Sequence, residues 1–166
     1  MRSERGFSLL ELLIVVVIVS ILIVAAVDRL LALRYEAERG AVQSVIGALK
    51  SALYIEFAGA AARQRPAPTG GNPMSLLSEK PDTYAGEFFG PDPATFPPGT
   101  WYFDSPDGSL VYLVRFPEQF MSTLAGPPRL RLAVRGDYHE GDGKLVGLKL
   151  VPLEPYNWKI AGGTKQ

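Results

Sequence analysis

The chain contains no cysteine. That excludes disulfides, zinc–thiolate and iron–sulfur sites, and thiol nucleophiles. It has a single histidine, so imidazole chemistry of any kind must pass through His139. An excess of charge is also missing, because 17 Lys and Arg face 17 Asp and Glu across 166 residues. A uniformly basic nucleic-acid binder and an acidic solvating tail are therefore excluded as whole-chain readings. The most telling absence is local. Residues 1–65 hold no proline, and all 14 prolines follow them. Proline costs about 3 kcal/mol inside a helix. The first part is free to be one long helix and the second is not, which predicts a stalk followed by a compact head.

Charge is nearly absent from Leu9 to Val27, where only Glu11 and Ser20 are not apolar. At 1.5 Å per residue this run reaches about 28 Å, close to the roughly 30 Å hydrocarbon core of a bilayer. Arg2 and Arg5 precede it, which predicts a cytoplasmic N-terminus and a head outside the cytoplasm. Three other readings compete. A buried helix of a soluble core conflicts with so long an unbroken run. A cleaved secretory signal has a shorter apolar region and a better small-x-small site than Ala25-Ala26-Val27-Asp28. A plain signal anchor leaves Glu11 without a purpose. A carboxylate in an apolar span costs a few kcal/mol at its centre, less near its end, and marks function.

The segment Gly6-Phe7-Ser8-Leu9-Leu10-Glu11-Leu12-Leu13-Ile14-Val15-Val16-Val17 resembles the N-terminal signature of type IV pilins and type II secretion pseudopilins. The resemblance implies that a membrane prepilin peptidase cuts between Gly6 and Phe7, that the new amine of Phe7 is methylated, and that Glu11 is the glutamate at the fifth mature position. Glycine offers the peptidase an unhindered backbone. Cleavage creates a cation at the helix start, one turn from the anion. In a filament, Glu11 of one subunit can then meet the amine of a neighbour, and misplacement would leave a desolvated charge unpaired. The resemblance further implies an inner-membrane precursor with a periplasmic head, later a periplasmic or extracellular filament. Its partners would be other pilin or pseudopilin subunits, the peptidase, the inner-membrane assembly platform and, before assembly, membrane lipid. Many members carry a proline at mature position 22; here Asp28 stands there, followed by Arg29. That departure favours a minor subunit. Asp28 and Arg29 read as a membrane boundary, or as a charge pair between subunits.

Beyond the span, Val42, Val45, Ile46, Leu49, Leu53 and Phe57 recur at helical spacing and form one apolar stripe that needs a cover. Arg34, Glu38, Arg39, Gln43, Lys50 and Glu56 are expected largely off that stripe. Gly40, Gly47 and Gly59 mark either close packing or slight bends. The helix is expected to run to about Arg63. Eight prolines and four glycines between Pro66 and Pro98 leave no long regular element there. Asn72-Pro73 predicts a cap and a short turn whose Leu76 and Leu77 tuck under the head. Tyr84, Phe88, Phe89 and Phe96 are expected to anchor this connector to the core.

Four strands are predicted in the head: Trp101–Phe103, Leu110–Phe116, Leu130–Arg135 and Leu145–Val151. Leu110, Tyr112, Val114 and Phe116 face the core in the second, and Val146, Leu148 and Leu150 in the fourth. Short connections favour an antiparallel meander. Pro152 and Pro155 end the pairing, and Tyr156 and Trp158 fold back as caps. The phrases Gly99-Thr100-Trp101-Tyr102-Phe103-Asp104 and Gly108-Ser109-Leu110-Val111-Tyr112, with the stretch from Asn72-Pro73 to Glu87, resemble heads of minor pilins from mannose-sensitive haemagglutinin-type systems.

Two features of the head could carry chemistry. Arg129, Arg131 and Arg135 alternate with apolar residues, as the solvated face of a half-buried strand does; a row of arginines could also meet phosphates or carboxylates of a partner. Asp137, Glu140 and Asp142 offer oxygens to calcium, but Asp142-Gly143 equally suits a plain hairpin loop, and no EF-hand pattern is present. No Gly-x-Ser-x-Gly elbow, phosphate loop or dinucleotide fingerprint occurs. The expectation is a non-enzymatic α+β protein with no cofactor, in which a long helix packs on a small antiparallel sheet of about four strands in the pilin-like manner. Its parts would be a leader over 1–6, a transmembrane half-helix over 7–28, an amphipathic half over 29–63, a connector over 64–98 and a β head over 99–166. The leading function is a minor pilin or pseudopilin of a type IV pilus or type II secretion-like filament. A tip adhesin or DNA-binding subunit and a membrane-anchored enzyme are the rivals, although nucleic acid is not an expected partner.

Overall fold

The computed structural model describes residues 8–158, apart from the side chains of residues 28 and 32. One helix, α1 (Leu9–Ala62), runs 54 residues, or about 80 Å. Ser8 caps it: its hydroxyl accepts the Glu11 N–H at 3.2 Å, satisfying a donor that has no partner inside the helix. With neither proline nor a break at residue 28, α1 continues from the apolar run into the amphipathic one. It stops where Gln64 turns to φ 53°, two residues before Pro66.

The strands are β1 (Tyr84–Phe88), β2 (Trp101–Asp104), β3 (Ser109–Leu113), β4 (Phe120–Ser122), β5 (Arg129–Tyr138), β6 (Leu145–Pro152) and β7 (Tyr156–Trp158). Five of them form one sheet in the order β1-β2-β3-β5-β6, and β4 pairs with β7. The sheet is antiparallel except at its edge, where β1 runs parallel to β2. The expected four-strand meander is thus corrected in count and in path. The added strand β1 lies in the proline-rich connector, in a proline-free stretch between Pro81 and Pro91. Its pairing is irregular between Tyr84 and Glu87, where Gly86 takes φ +117°. Tyr156 and Trp158, expected as caps, are the ends of β7.

The core lies between one face of α1 and the inner face of the sheet. Val42, Ile46, Leu49 and Leu53 meet Leu110, Tyr112, Leu130, Leu132, Val134 and Leu150. Leu76 and Leu77 close its edge after a 3-10 turn (Pro73–Leu76) capped by Asn72. The strand β3 is buried along its whole length. Its other face, Val111 and Leu113, packs with Tyr102 under Phe96, whose ring stacks on Tyr102 at 4.6 Å. The connector is therefore a lid on the back of the sheet.

Three expected core positions fall elsewhere. Val146 is half exposed near the tip of the β5–β6 hairpin. Phe116 lies past the end of β3, because it precedes Pro117, and a residue before proline followed by one without an N–H cannot extend a ladder. Phe89, expected as an anchor, is 86% exposed.

Candidate functional site

The start of α1 is the first site. Gly6 and Phe7, the expected cleavage and methylation residues, lie outside the described residues. Glu11 sits in the first turn, just inside the Ser8 cap. The large apolar residues of the span are exposed, and none of the span is covered by the head. Ser20, the other polar residue there, donates its hydroxyl to the Val16 carbonyl at 2.7 Å and is satisfied within its own helix. The Glu11 carboxylate has no hydrogen-bond or ion-pair partner among the described residues. A carboxylate within an apolar span is costly and marks a candidate functional site.

The second site joins stalk to head and was missed in the sequence. Glu38 is 8% exposed, the one buried charged side chain among the described residues. Its Oε1 accepts the Tyr112 hydroxyl at 2.8 Å and the Arg115 N–H; its Oε2 accepts the Phe116 N–H at 3.0 Å. The two backbone donors exist because the chain leaves β3 just before Pro117. Three donors on one carboxylate keep the buried anion satisfied. Burial raises the Tyr112 pKa, and the bond to Glu38 and the Glu38 charge raise it further. The signal was available: stepping back one turn from Val42 along the stripe lands on Glu38. Tyr35, one step further, meets Phe116 edge-on at 5.5 Å.

Beside this clamp lies an open cleft of about 500 Å³ between α1 and the starts of β1 and β2. Arg34, Arg115 and Phe116 line it, over the almost wholly buried rings of Trp101 and Tyr112. The Arg115 guanidinium packs against Gly99. A Cβ there would come within 2.5 Å of Nη2, and the backbone at φ +90° also calls for glycine.

The arginine row divides. Arg131 pairs with Asp107 at 3.0 Å and Glu154 at 3.1 Å. Arg129 donates to the carbonyls of Ala125 and Pro127 at 2.8 and 3.1 Å. Arg135 is exposed, without an ion pair among the described residues. In the 137–143 loop, Asp137 pairs with Lys149 at 2.7 Å and Asp142 with Lys144 at 3.2 Å. Among the described residues no three acidic or histidine side chains converge as a metal site would require.

A proline-free helix whose first half is bare, apolar and long enough to cross a membrane, carrying a folded β head clamped to its second half, is a pilin-like α+β fold. Residues 1–27 match the family described as the prokaryotic N-terminal methylation motif, so the chain carries the type IV pilin and pseudopilin signature. The motif supports a type IV pilin-like or pseudopilin subunit, a structural component rather than an enzyme. Such a subunit is made as an inner-membrane-anchored precursor, processed by prepilin peptidase and assembled with other pilin subunits. No curated protein and no solved structure matches the chain.

Proposed function

We propose that the chain is a minor pilin or pseudopilin of a type IV pilus or type II secretion-like filament. It is inserted with residues 1–6 in the cytoplasm and the head in the periplasm, cut between Gly6 and Phe7, and methylated on the Phe7 amine. Glu11 then pairs with the amine of a neighbouring subunit as the apolar half of α1 leaves lipid for the filament. The observation that carries this reading is the Glu11 carboxylate, held in the first helical turn of a bare apolar span and lacking any partner among the described residues. The helix that runs unbroken past Asp28 favours the minor or pseudopilin assignment over the main subunit of a long pilus. The resemblance of residues 99–112 to minor pilins of the mannose-sensitive haemagglutinin type agrees with it. The paired members of the arginine row, Arg129 and Arg131, hold the back of the sheet together, and Arg135 is left to face a neighbouring subunit.

Mass spectrometry of the N-terminus, with and without the peptidase, tests the processing: N-methylphenylalanine at position 7 is expected only with it. Glu11→Ala is expected to be processed and stay in the membrane, yet drop out of sheared filaments. An uncut natural product, or normal polymerisation of Glu11→Ala, overturns the reading.

A further inference from the structure

The exposed apolar surface of α1 continues past residue 28. Leu30, Leu31 and Leu33 are still exposed, and Arg34 follows at once. Counted from Leu9, the roughly 30 Å of a bilayer's hydrocarbon takes about 20 residues, which puts its far edge near residue 28. Arg34 stands about six residues, or about 9 Å, beyond that edge. Side chains on a helix slope toward its N-terminus, and the long stem of an arginine extends that slope. The Arg34 side chain can therefore reach back to the level of the lipid phosphates.

The head meets this level from its own side. Glu38 holds the Arg115 and Phe116 N–H groups against α1. One turn closer to the span, the Phe116 ring meets Tyr35 edge-on at 5.5 Å, and both residues are half-buried. Arg115 is exposed and lines the same cleft as Arg34. The side chains of Arg34 and Arg115 make no hydrogen bond or ion pair among the described residues, whereas Arg129 and Arg131 are both engaged. Nearby acids leave this charge unmet. Glu38 is saturated by its three donors. Glu36, two residues from Arg34, does not share its side of the helix. Glu118, in the turn Pro117–Gln119, pairs with no cation among the described residues. The attraction for an anion is thus local to the two guanidiniums and not spread over the head.

We propose that the membrane-anchored chain seats its head on the bilayer through Tyr35, Phe116, Arg34 and Arg115, with the two guanidiniums taking the phosphate of an anionic glycerophospholipid. The proposal rests on the inserted span and not on filament assembly. Lipid is the occupant because the apolar surface of α1 leads to Arg34, so inserting that surface brings both arginines to the phosphates. A tyrosine suits the boundary between hydrocarbon and water, and arginines beside it suit the anionic surface above. Guanidinium also matches phosphate in geometry as well as charge. The seat holds the head at a fixed height over the membrane.

A chain without cysteine accepts single labels cleanly. Glu118→Cys puts a bimane beside the proposed seat. Tyr138→Cys puts one at the far end of β5, about 30 Å along the strand from Arg129, which pairs with Leu113 near the Glu38 clamp. Each full-length chain is reconstituted in phosphatidylcholine vesicles with or without phosphatidylglycerol, with a trace of headgroup-spin-labelled lipid as quencher. With phosphatidylglycerol, quenching is expected at position 118 and not at 138. Omitting phosphatidylglycerol, or replacing both arginines (Arg34→Gln with Arg115→Gln), is expected to lower the ratio of seated to free heads about tenfold. Arg135→Gln, at an exposed arginine of β5, is expected to change nothing. The substitutions leave the backbone donors to Glu38 in place, melting temperature is the control for folding, and the lipid comparison needs no substitution. Equal quenching at 118 and 138, quenching at 118 that ignores phosphatidylglycerol, or a loss matched by Arg135→Gln overturns the seat alone. A chain that alkaline washing strips from the vesicles overturns the inserted span and the seat with it.

Discussion

Glu38 does at the residue scale what no apolar side chain could. It accepts a tyrosine hydroxyl and two backbone N–H groups that the turn into Pro117 leaves outside the ladder. Glu38→Gln keeps the shape but turns a donor toward donors, so a loss of about 1–3 kcal/mol is expected near neutral pH. Denaturant titration of the detergent-solubilised chain measures it. The same pair predicts an alkaline limit. The Tyr112 pKa is raised in the folded state by burial, by the bond to Glu38 and by its charge, and the Tyr84 and Tyr102 pKa values are raised chiefly by burial. A raised folded pKa means the unfolded chain gives up its proton first. Stability is fully present below about pH 10, the unfolded value, and falls as the pH climbs toward the folded values. Tyr112→Phe is expected to make that alkaline fall shallower, and an alkaline fall as steep as the parent's would refute the assignment.

At the scale of elements, α1 serves two solvents with one backbone. Its first half is apolar all round, as suits lipid, and its second half buries Val42, Ile46, Leu49 and Leu53 under the sheet. The glycines of that second half are not explained by contacts with the head. A Cβ at Gly40 or Gly47 would meet nothing within 4 Å. Within the single chain they are only a cost to the helix, about 1 kcal/mol each relative to alanine. Gly47→Ala is therefore expected to raise the melting temperature of the detergent-solubilised chain by a few degrees. A lower melting temperature would show that the helix needs glycine there for its own fold. The sheet is likewise two-sided: β3 is buried on both faces because the connector folds back over Tyr102.

For the whole molecule, the consequence is a division between an anchor that the head does not cover and a head that is complete without the anchor's first half. Large apolar residues from Leu9 to Leu33 remain exposed. No soluble monomer tolerates a patch of that extent. The full-length chain is expected to sediment with membranes through high-salt and alkaline washes and to enter the supernatant only with detergent. Release by salt alone would mean that the span does not insert. In the filament proposed above, many apolar half-helices pack together as the other cover and each Glu11 meets a cation.

Much of this was legible in the residues. The proline-free start predicted one helix, the spacing from Val42 to Leu53 predicted its buried stripe, and the run around Glu11 carried the signature itself. These are short-range properties, set by backbone chemistry and by the period of apolar side chains. What the sequence hid depended on distant partners. Glu38 read as a surface charge because its three donors lie 74 to 78 positions away. The strand β1 read as loop because its pairing partner β2 follows a proline-rich stretch. Phe89 read as an anchor because hydrophobicity alone cannot say which of two adjacent phenylalanines faces inward. Local pattern determined the stalk, the span and the class of head. Only the tertiary structure decided how stalk and head are clamped and which aromatic ring is left outside, since burial is a property of the surroundings rather than of the residue.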